Sequence, residues 1–375
     1  MALHLARSVR NGHARARPLC SVDQSGYSAA RMRTAETVST KRAAAARMRC
    51  LALALLLGPV LAACHGKYIR PTSPDKFEAT PERLQRGQYL VNQVLACGVC
   101  HTSRATGDIF MEGEQTDLFL AGGNTMEDPG MGRLYIPNLT PDPDGLGGWT
   151  DDEVLRAIRD GVHKDGHFLV PVMPYDNYQR LSDDDAKSVV VYLRSVPAAK
   201  APRPAVANEL KFLPKMLFTT IGVQMHKPVA NVPNPDRGNR VAYGRYIADA
   251  ASCTECHSMT EKGPRKDSDP MFMSGSDVPF VDARLGKVYA RNLTPDPETG
   301  LGKYKPDQIK AALRDGKRLD GKRMSPPMSQ IIPHYSGMTD DDLDALVAFL
   351  GSLKPASHRI PEPELTPEAQ KLIAP

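Results

Sequence analysis

The sequence predicts an all-α protein built from two tandem copies of one small domain. Candidate helices show apolar residues at three- and four-residue spacing, with capping residues before them. The segment 82–200 also recurs as 237–356, and aligned residues stay 154 to 157 positions apart. A chain of 375 residues is long enough for two such domains with further segments around them.

Residues 1–63 are predicted to form a leader. Residues 1–47 have no apolar periodicity, and translation from Met48 is the favoured start. Arg49 and the apolar run 51–63 then follow the order of a bacterial export signal, and the run is too short for a permanent spanning helix. We therefore expect an exported, periplasmic protein.

Cys64 closes the leader in the string Leu-Ala-Ala-Cys, which is similar to a bacterial lipobox. This predicts that Cys64 is lipidated and that the acyl chains hold the protein on a membrane. A cleaved signal with an incidental cysteine is the alternative.

The charge distribution argues against nucleic-acid binding. The formal charge of the chain is +5, but residues 1–63 hold ten Lys or Arg against two acidic residues, which is +8. The remainder therefore carries 5 − 8 = −3. A mildly acidic surface gives no electrostatic support for binding a phosphate backbone.

The first repeat, 82–200, follows a polar, Pro-containing tether at 64–81. Thr80 is the predicted N-cap of its first helix, and Pro81 takes the first helical position. Apolar residues recur on one face, so we expect this helix to run directly into Cys97.

Two further helices are predicted in the first repeat. Thr150 and Glu153 have the spacing of a capping box before a helix at 154–160, and Gly161 ends it. Ser182 caps the last helix, whose first turn holds three aspartates that favour the helix dipole.

A connector at 201–236 joins the repeats. Its apolar middle, 210–223, is expected to pack between the two domains, and a membrane-surface role is the alternative. The second repeat at 237–356 shows the same helix signals, and residues 357–375 form a Pro- and Glu-rich tail.

Each repeat carries one C-x-x-C-H pentapeptide. Two thiols at this spacing reach the two vinyl groups of one porphyrin, and the following histidine lies under the iron. A zinc or dithiol redox site is the alternative, but zinc would need two more Cys or His ligands beside each pair. The sequence therefore predicts two covalent haem c groups, attached at Cys97, Cys100 and His101 and at Cys253, Cys256 and His257.

Met173 and Met328 are the predicted sixth ligands of the two irons. Each follows a proline in register and precedes the last helix of its repeat. Met324 competes with Met328, but it aligns with a leucine in the first repeat. A bis-histidine first haem through His163 or His167 is a minority alternative, because cationic residues replace both histidines in the second repeat.

Four residues are candidates for hydrogen bonds to haem propionates. The asparagines open a repeated Asn-Leu-Thr-Pro-Asp string, and the aromatic residues recur at matching positions. Turn chemistry that serves only the backbone is the alternative interpretation of the asparagines. These candidates are Asn138, Asn292, Trp149 and Tyr304.

Together these motifs resemble class I cytochrome c, in which the first and last helices cross at a glycine, here Gly87, beside an aromatic residue, here Tyr192. The strings at 86–91, 138–142 and 173–175 are similar to the multihaem cytochrome c subunits of bacterial membrane-bound alcohol and gluconate dehydrogenases. The likeness covers about residues 82 to 355. Those subunits generally carry three haem motifs, whereas this chain has two.

The resemblance implies an electron carrier that accepts electrons from a periplasmic quinoprotein or flavoprotein dehydrogenase and passes them to quinone or an oxidase. A thioether opposite the imidazole saturates the iron, so a matched pair of methionines favours a carrier over a catalyst. A dihaem peroxidase or thiosulfate-dehydrogenase-like enzyme is one alternative, and it would need an iron without its methionine. A non-redox haem-binding sensor module is another.

Overall fold

The computed structural model describes residues 69–128, 130–202, 207–216, 227–318 and 320–373. The predicted leader, Cys64 and the first part of the tether lie outside the described residues. Within these described ranges, each helix is too short or too polar to cross a bilayer.

Helices recur in the same order in both halves of the chain. The first half contains α1 (Pro81–Tyr89), α2 (Gly98–His101), α3 (Asp151–Asp160), α4 (Tyr175–Tyr178) and α5 (Asp183–Ser195), followed by α6 (Phe212–Met216). The second half contains α7 (Arg240–Ala250), α8 (Cys253–Cys256), α9 (Pro306–Asp315), α10 (Met328–Tyr335) and α11 (Asp340–Ser352), followed by α12 (Pro367–Leu372). A π-helical turn (Leu90–Val94) extends α1, and Thr116–Leu118 form a 3₁₀ turn.

The predicted helix starts of the first repeat are confirmed by their caps. The hydroxyl groups of Thr80 and Ser182 accept hydrogen bonds from backbone N–H groups three residues on. Thr150 and Glu153 form the complete capping box, so α3 starts three residues earlier than predicted. Gly161 has a φ of +63° and ends α3 as expected.

The first helix does not run directly into Cys97, contrary to the prediction. It ends in the π-helical turn, and Ala96 then adopts a left-handed backbone with φ +49°. Ser252 has a φ of +55° at the matching position before Cys253. The left-handed conformation costs a non-glycine residue roughly 1–2 kcal/mol. In both halves it turns the chain, and a separate four-residue helix follows.

Short antiparallel strands, absent from the all-α prediction, accompany the helices. They are β1 (Thr125–Asp128), β2 (Gly132–Tyr135), β3 (Glu209–Leu210), β4 (Met259–Thr260), β5 (Gly263–Pro264), β6 (Phe280–Asp282), β7 (Gly286–Val288) and β8 (Glu364–Leu365). The β3 strand lies in the connector and pairs with β2, while β8 lies in the tail and pairs with β7. Strand pairing therefore continues past residues 200 and 356, the predicted ends of the two domains.

Residues 217–223 of the apolar connector segment lie outside the described residues, so its expected packing between the two domains stays a prediction. No residue of α6 is buried, and Phe212 and Leu213 are 81% and 65% exposed.

The first and last helices of each half cross at a glycine. A Cβ atom built on Gly87 in α1 would lie 2.7 Å from the Cβ of Tyr192 in α5, and one on Gly244 in α7 would lie 2.8 Å from the Cβ of Phe349 in α11. The two backbones are thus in direct contact at both crossings. Buried apolar residues of both halves belong to one continuous core.

An aspartate in the first turn of α5 joins the two halves. The Asp185 carboxylate accepts two hydrogen bonds of 2.7 Å from the Arg86 guanidinium in its own half. It also accepts a 2.5 Å hydrogen bond from the Tyr246 hydroxyl in the other half. Asp185 is buried, so these donors compensate for the lost hydration of its charge.

The second half repeats this arrangement in reverse. The Asp342 carboxylate, at the start of α11, accepts a 2.6 Å hydrogen bond from Tyr243 in its own half and another of 2.6 Å from Tyr89 in the first half. Around Asp342, Tyr243 takes the place that Arg86 has around Asp185, and Tyr89 takes the place of Tyr246. Each half therefore donates an equivalent tyrosine hydrogen bond to the aspartate of the other half.

Candidate haem sites

Each C-x-x-C-H segment forms one helical turn. The backbone N–H of His101 donates to the Cys97 carbonyl at 3.0 Å, and His257 donates to Cys253 at the same distance. One turn of helix brings the first cysteine, the second cysteine and the histidine to the same side of the segment. All four thiols are free of disulfides.

Both histidines are oriented by a backbone carbonyl. His101 Nδ1 lies 2.9 Å from the Pro137 carbonyl oxygen, and His257 Nδ1 lies 2.6 Å from the Arg291 carbonyl oxygen. Burial lowers the pKa of both imidazoles, which favours the neutral ring that metals bind. With Nδ1 as the donor to a carbonyl, Nε2 presents its lone pair to a metal.

Asn138 and Asn292 build the turn that carries these carbonyls. The Asn138 amide donates to the Ala199 carbonyl at 2.7 Å, and its oxygen accepts from the backbone N–H of Thr140 at 2.7 Å. The Asn292 amide donates to the Ala356 carbonyl at 2.8 Å in the same way. These contacts fit the turn interpretation, and a contact with a haem propionate stays a prediction.

Sequence reasoning missed the two carbonyl groups that orient the histidines. Pro137 and Arg291 each come directly before the repeated asparagine, so the Asn-Leu-Thr-Pro-Asp string marked the right place. The repeated string could have predicted this contact with the histidine, because a turn with a fixed backbone also fixes the position of the carbonyl group before it.

Trp149 and Tyr304 are both half-buried, and each carries a lysine over its ring. Lys164 Nζ lies 5.5 Å from the Trp149 ring centroid, and Lys303 Nζ lies 5.7 Å from that of Tyr304. A cation beside an aromatic donor suits an anionic group such as a propionate. Their predicted contact with haem remains a prediction.

Met173, Met324 and Met328 are all half-buried and pack against the core. Met173 precedes α4, whereas Met328 is the first residue of the longer α10. The alignment of Met324 with a leucine is confirmed by the backbone. Leu169 donates to the Gly161 carbonyl at 2.7 Å, and Met324 donates to the matching Gly316 carbonyl at 2.9 Å.

The donor set fits a covalently attached haem in each half. Each half supplies two unpaired cysteines and one buried, neutral imidazole held through Nδ1. Burial raises the pKa of the Cys97 and Cys253 thiols to about 12. Among the described residues, neither cysteine pair belongs to a cluster of three or more His, Cys, Asp or Glu side chains that could hold an ion, so the geometry argues against the zinc alternative.

Two family models match the chain. The model of cytochrome c matches residues 241–354, and that of cytochrome c oxidase, cbb3-type, subunit III matches residues 82–193. The chain contains cytochrome c domains. Such domains bind haem c covalently, and they carry electrons through its iron.

Curated relatives confirm the resemblance seen in the sequence. The fructose dehydrogenase cytochrome subunit of Gluconobacter japonicus is 32% identical over 76% of this chain and 55% of its own length. The gluconate 2-dehydrogenase cytochrome c subunit of Pantoea cypripedii is 30% identical over 74% and 60%. The cytochrome c subunit of alcohol dehydrogenase (quinone) of Gluconacetobacter polyoxogenes is 29% identical over 81% and 60%. The chain thus spans little more than half the length of these relatives.

Two buried tyrosines of the cytochrome domains were also missed. The Tyr178 hydroxyl donates to the Leu95 carbonyl at 3.4 Å, and the Tyr335 hydroxyl donates to the Ala251 carbonyl at 2.6 Å. Each bond ties the segment after a candidate methionine to the residue just before the left-handed break. The aromatic recurrence at an offset of 157 was the available signal.

Proposed function

We propose that this chain is a dihaem electron carrier, with two tandem, mainly helical cytochrome c domains that relay single electrons. Haem c supplies a reversible one-electron change at its iron. Cys97, Cys100 and His101 would hold the first haem, and the equivalent residues Cys253, Cys256 and His257 would hold the second. Met173 and Met328 would complete the two coordination spheres.

This proposal rests on the recurrence, in both halves, of two cysteines and a histidine oriented by a backbone carbonyl group. Both histidines are buried, both are oriented by a carbonyl, and both follow a left-handed residue that starts the thiol turn. An enzyme that binds substrate at one iron needs one site to differ from the other. Matching sites instead suit two saturated irons that only exchange electrons.

The protein's own residues would keep the two sites fixed and dry. The Nδ1 bonds prevent the imidazole rings from rotating, and the shared apolar core excludes water. The interlocked Asp185 and Asp342 contacts would hold the two haem-binding turns at a constant separation.

We further propose that the chain is the electron-accepting subunit of a periplasmic quinoprotein or flavoprotein dehydrogenase. Quinone or an oxidase would take the electrons onward. The relatives named as cytochrome subunits of fructose, gluconate and alcohol dehydrogenases support such a partner. Export and a lipid anchor at Cys64 would place the carrier at the periplasmic face of a membrane.

Methionine variants of the haem-loaded protein test the coordination. Met173→Ala and Met328→Ala should each leave two haems attached and remove half of the long-wavelength Fe–Met charge-transfer absorbance of the oxidised protein. Met324→Ala is the matched control and should leave that absorbance intact. If Met324→Ala removes half and Met328→Ala none, Met324 is the ligand of the second iron.

The same samples separate the carrier from an enzyme. A haemochrome assay with mass spectrometry should give two haems per chain, with little high-spin iron and no turnover of peroxide. A high-spin signal from one iron in the unmodified protein, together with peroxide reduction, would favour a dihaem peroxidase and overturn the proposal.

A further inference from the structure

A tight turn outside the two C-x-x-C-H segments closes the segment between α3 and α4. An isolated bridge pairs Val162 with Phe168, and the His163 N–H donates to the His167 carbonyl at 2.9 Å. Buried Arg156 donates to the carbonyl groups of His163 and Lys164 at 3.0 and 3.2 Å. The backbone that carries the two histidines is therefore fixed from both sides.

Three metal-binding side chains converge on this turn. Asp165 Oδ1 lies 2.8 Å from His163 Nδ1 and 2.5 Å from His167 Nδ1. The two imidazole rings stack with centroids 4.4 Å apart, and the candidate ligand atoms all lie within 4.8 Å of one another. In the described part of the chain, no other group of three His, Cys, Asp or Glu residues converges in this way.

The surroundings hold the first imidazole in place. The Trp149 ring meets His163 edge-on, with centroids 4.6 Å apart. Lys164 Nζ lies 5.5 Å from the centroid of the Trp149 ring. The side chains of Asp165 and His167 are 60% and 48% exposed, so an ion from solvent can reach them and keep water as its remaining ligands.

The second repeat shows that the turn does not need the histidines. Its bridge joins Lys317 to Arg323, and the Arg318 N–H donates to the Lys322 carbonyl at 2.6 Å. The aspartate is retained as Asp320, but arginine and lysine replace the histidines. Because the same backbone forms without them, turn formation does not account for the two imidazoles in the first repeat.

We propose that His163, Asp165 and His167 bind one divalent late first-row transition-metal ion, of the class of Zn²⁺, Cu²⁺ or Ni²⁺. Two imidazole nitrogens and one carboxylate oxygen suit these ions better than Mg²⁺ or Ca²⁺, which prefer oxygen ligands. Three ligand atoms bonded to one ion at about 2.0–2.2 Å lie closer together than the 4.8 Å within which the present atoms lie. Small side-chain rotations would therefore bring the three atoms into ligating positions. The ion would take the place of the two direct contacts between the imidazole Nδ1 atoms and Asp165 Oδ1.

Calorimetric titration of ZnCl₂ into the haem-loaded full chain, with any affinity tag removed, tests the site. We expect one Zn²⁺ per chain. His163→Gln and His167→Gln should each weaken binding about tenfold or more, since loss of even an outer-shell partner has effects of that size. His358→Gln is the matched control and should bind as the unmodified protein does, because His358 contacts Asp277 without a second histidine.

A gain-of-site variant tests whether the turn and its three ligands are sufficient. Arg318→His combined with Lys322→His recreates the His-x-Asp-x-His pattern around Asp320, and the variant should take up two Zn²⁺ ions. Uptake of only one would contradict the proposed ligand frame. No uptake by the unmodified protein, or undiminished uptake by His167→Gln, would also overturn it.

The haem spectrum separates this site from axial ligation. The Fe–Met absorbance should be the same in His163→Gln, His167→Gln and the unmodified protein. A changed spectrum in either variant would make that histidine a haem ligand and would overturn the assignment to a separate ion, whether or not the methionine experiment supports the carrier.

Discussion

Replacing the glycine at the second helix crossing should be costly. A Cβ atom on Gly244 would overlap the Ala345 carbonyl oxygen and would lie 2.8 Å from the Cβ of Phe349. Ordinary contacts between heavy atoms are about 3.5–4.0 Å, and the carbonyl oxygen is the nearest obstacle, so α7 and α11 must separate by more than about 1 Å. The obstacle is largely backbone, and no side-chain rotation relieves it.

The expected size of the effect follows from two opposing contributions. Forced overpacking costs about 1–3 kcal/mol and occasionally more. Alanine recovers roughly 1 kcal/mol through its better helix propensity. Because the clash involves a carbonyl oxygen within a helix, we take the upper end and expect Gly244→Ala to lower the free energy of unfolding by about 2 kcal/mol or more.

Gly351→Ala is the matched control for this experiment. Gly351 lies in α11, it is exposed, and a Cβ atom there has no neighbour within 4 Å. The free energy of unfolding of this variant should rise by up to about 1 kcal/mol, because alanine has the better helix propensity. Thermal and urea unfolding of the haem-loaded proteins, followed by circular dichroism, should separate the two variants by about 3 kcal/mol. A difference below about 0.5 kcal/mol, the usual range of surface substitutions, would refute the argument.

Two further predictions concern the contacts between the halves. Tyr246→Phe should lower the free energy of unfolding by about 1.5–3 kcal/mol, since it removes a hydrogen bond to a buried carboxylate, and an unchanged urea midpoint would contradict this. His334 Nε2 lies 2.8 Å from a Glu114 carboxylate oxygen, and His334 Nδ1 lies 2.7 Å from the Asn92 carbonyl oxygen. Burial alone would lower the pKa of His334, but the Glu114 carboxylate stabilises the imidazolium and raises that pKa above 6.5. A raised folded-state pKa contributes stability that is complete below the unfolded value and fades as the pH rises through the folded value. The stability lost in His334→Gln should thus be greatest below pH 6.5 and should shrink above it; a loss independent of pH would argue against a charged pair.

Local signals in the sequence were sufficient to predict the N-caps of the helices in the first repeat. Thr80, Thr150 and Ser182 act within three residues of their own position, so their roles can be read from short strings. The left-handed breaks could not be read in this way. Ala96 and Ser252 are not the residues that usually adopt this conformation, and tertiary packing imposes it on them.

The short strands and the support of the histidines depend on distant parts of the chain. β3 and β8 have two residues each, which is too few for an alternating pattern, and their partners lie more than 70 positions away. The C-x-x-C-H motifs stand out in the sequence because covalent attachment of a haem requires this fixed spacing. The carbonyl groups of Pro137 and Arg291 carry no side-chain signature, so only the fold identifies them.

The reciprocal aspartates give the duplication a physical consequence. The helix that ends just before each haem motif also carries the tyrosine, Tyr89 or Tyr246, that bonds to the aspartate of the opposite half. Neither motif can then shift without straining a buried charged contact on the other side. In the proposed carrier, electron exchange would depend on the separation of the two irons, and an interface that constrains both helices at once would keep that separation constant. Two such domains without these reciprocal hydrogen bonds would lack this constraint, so in the proposed carrier the interface would be the element that lets the two haems act as a relay.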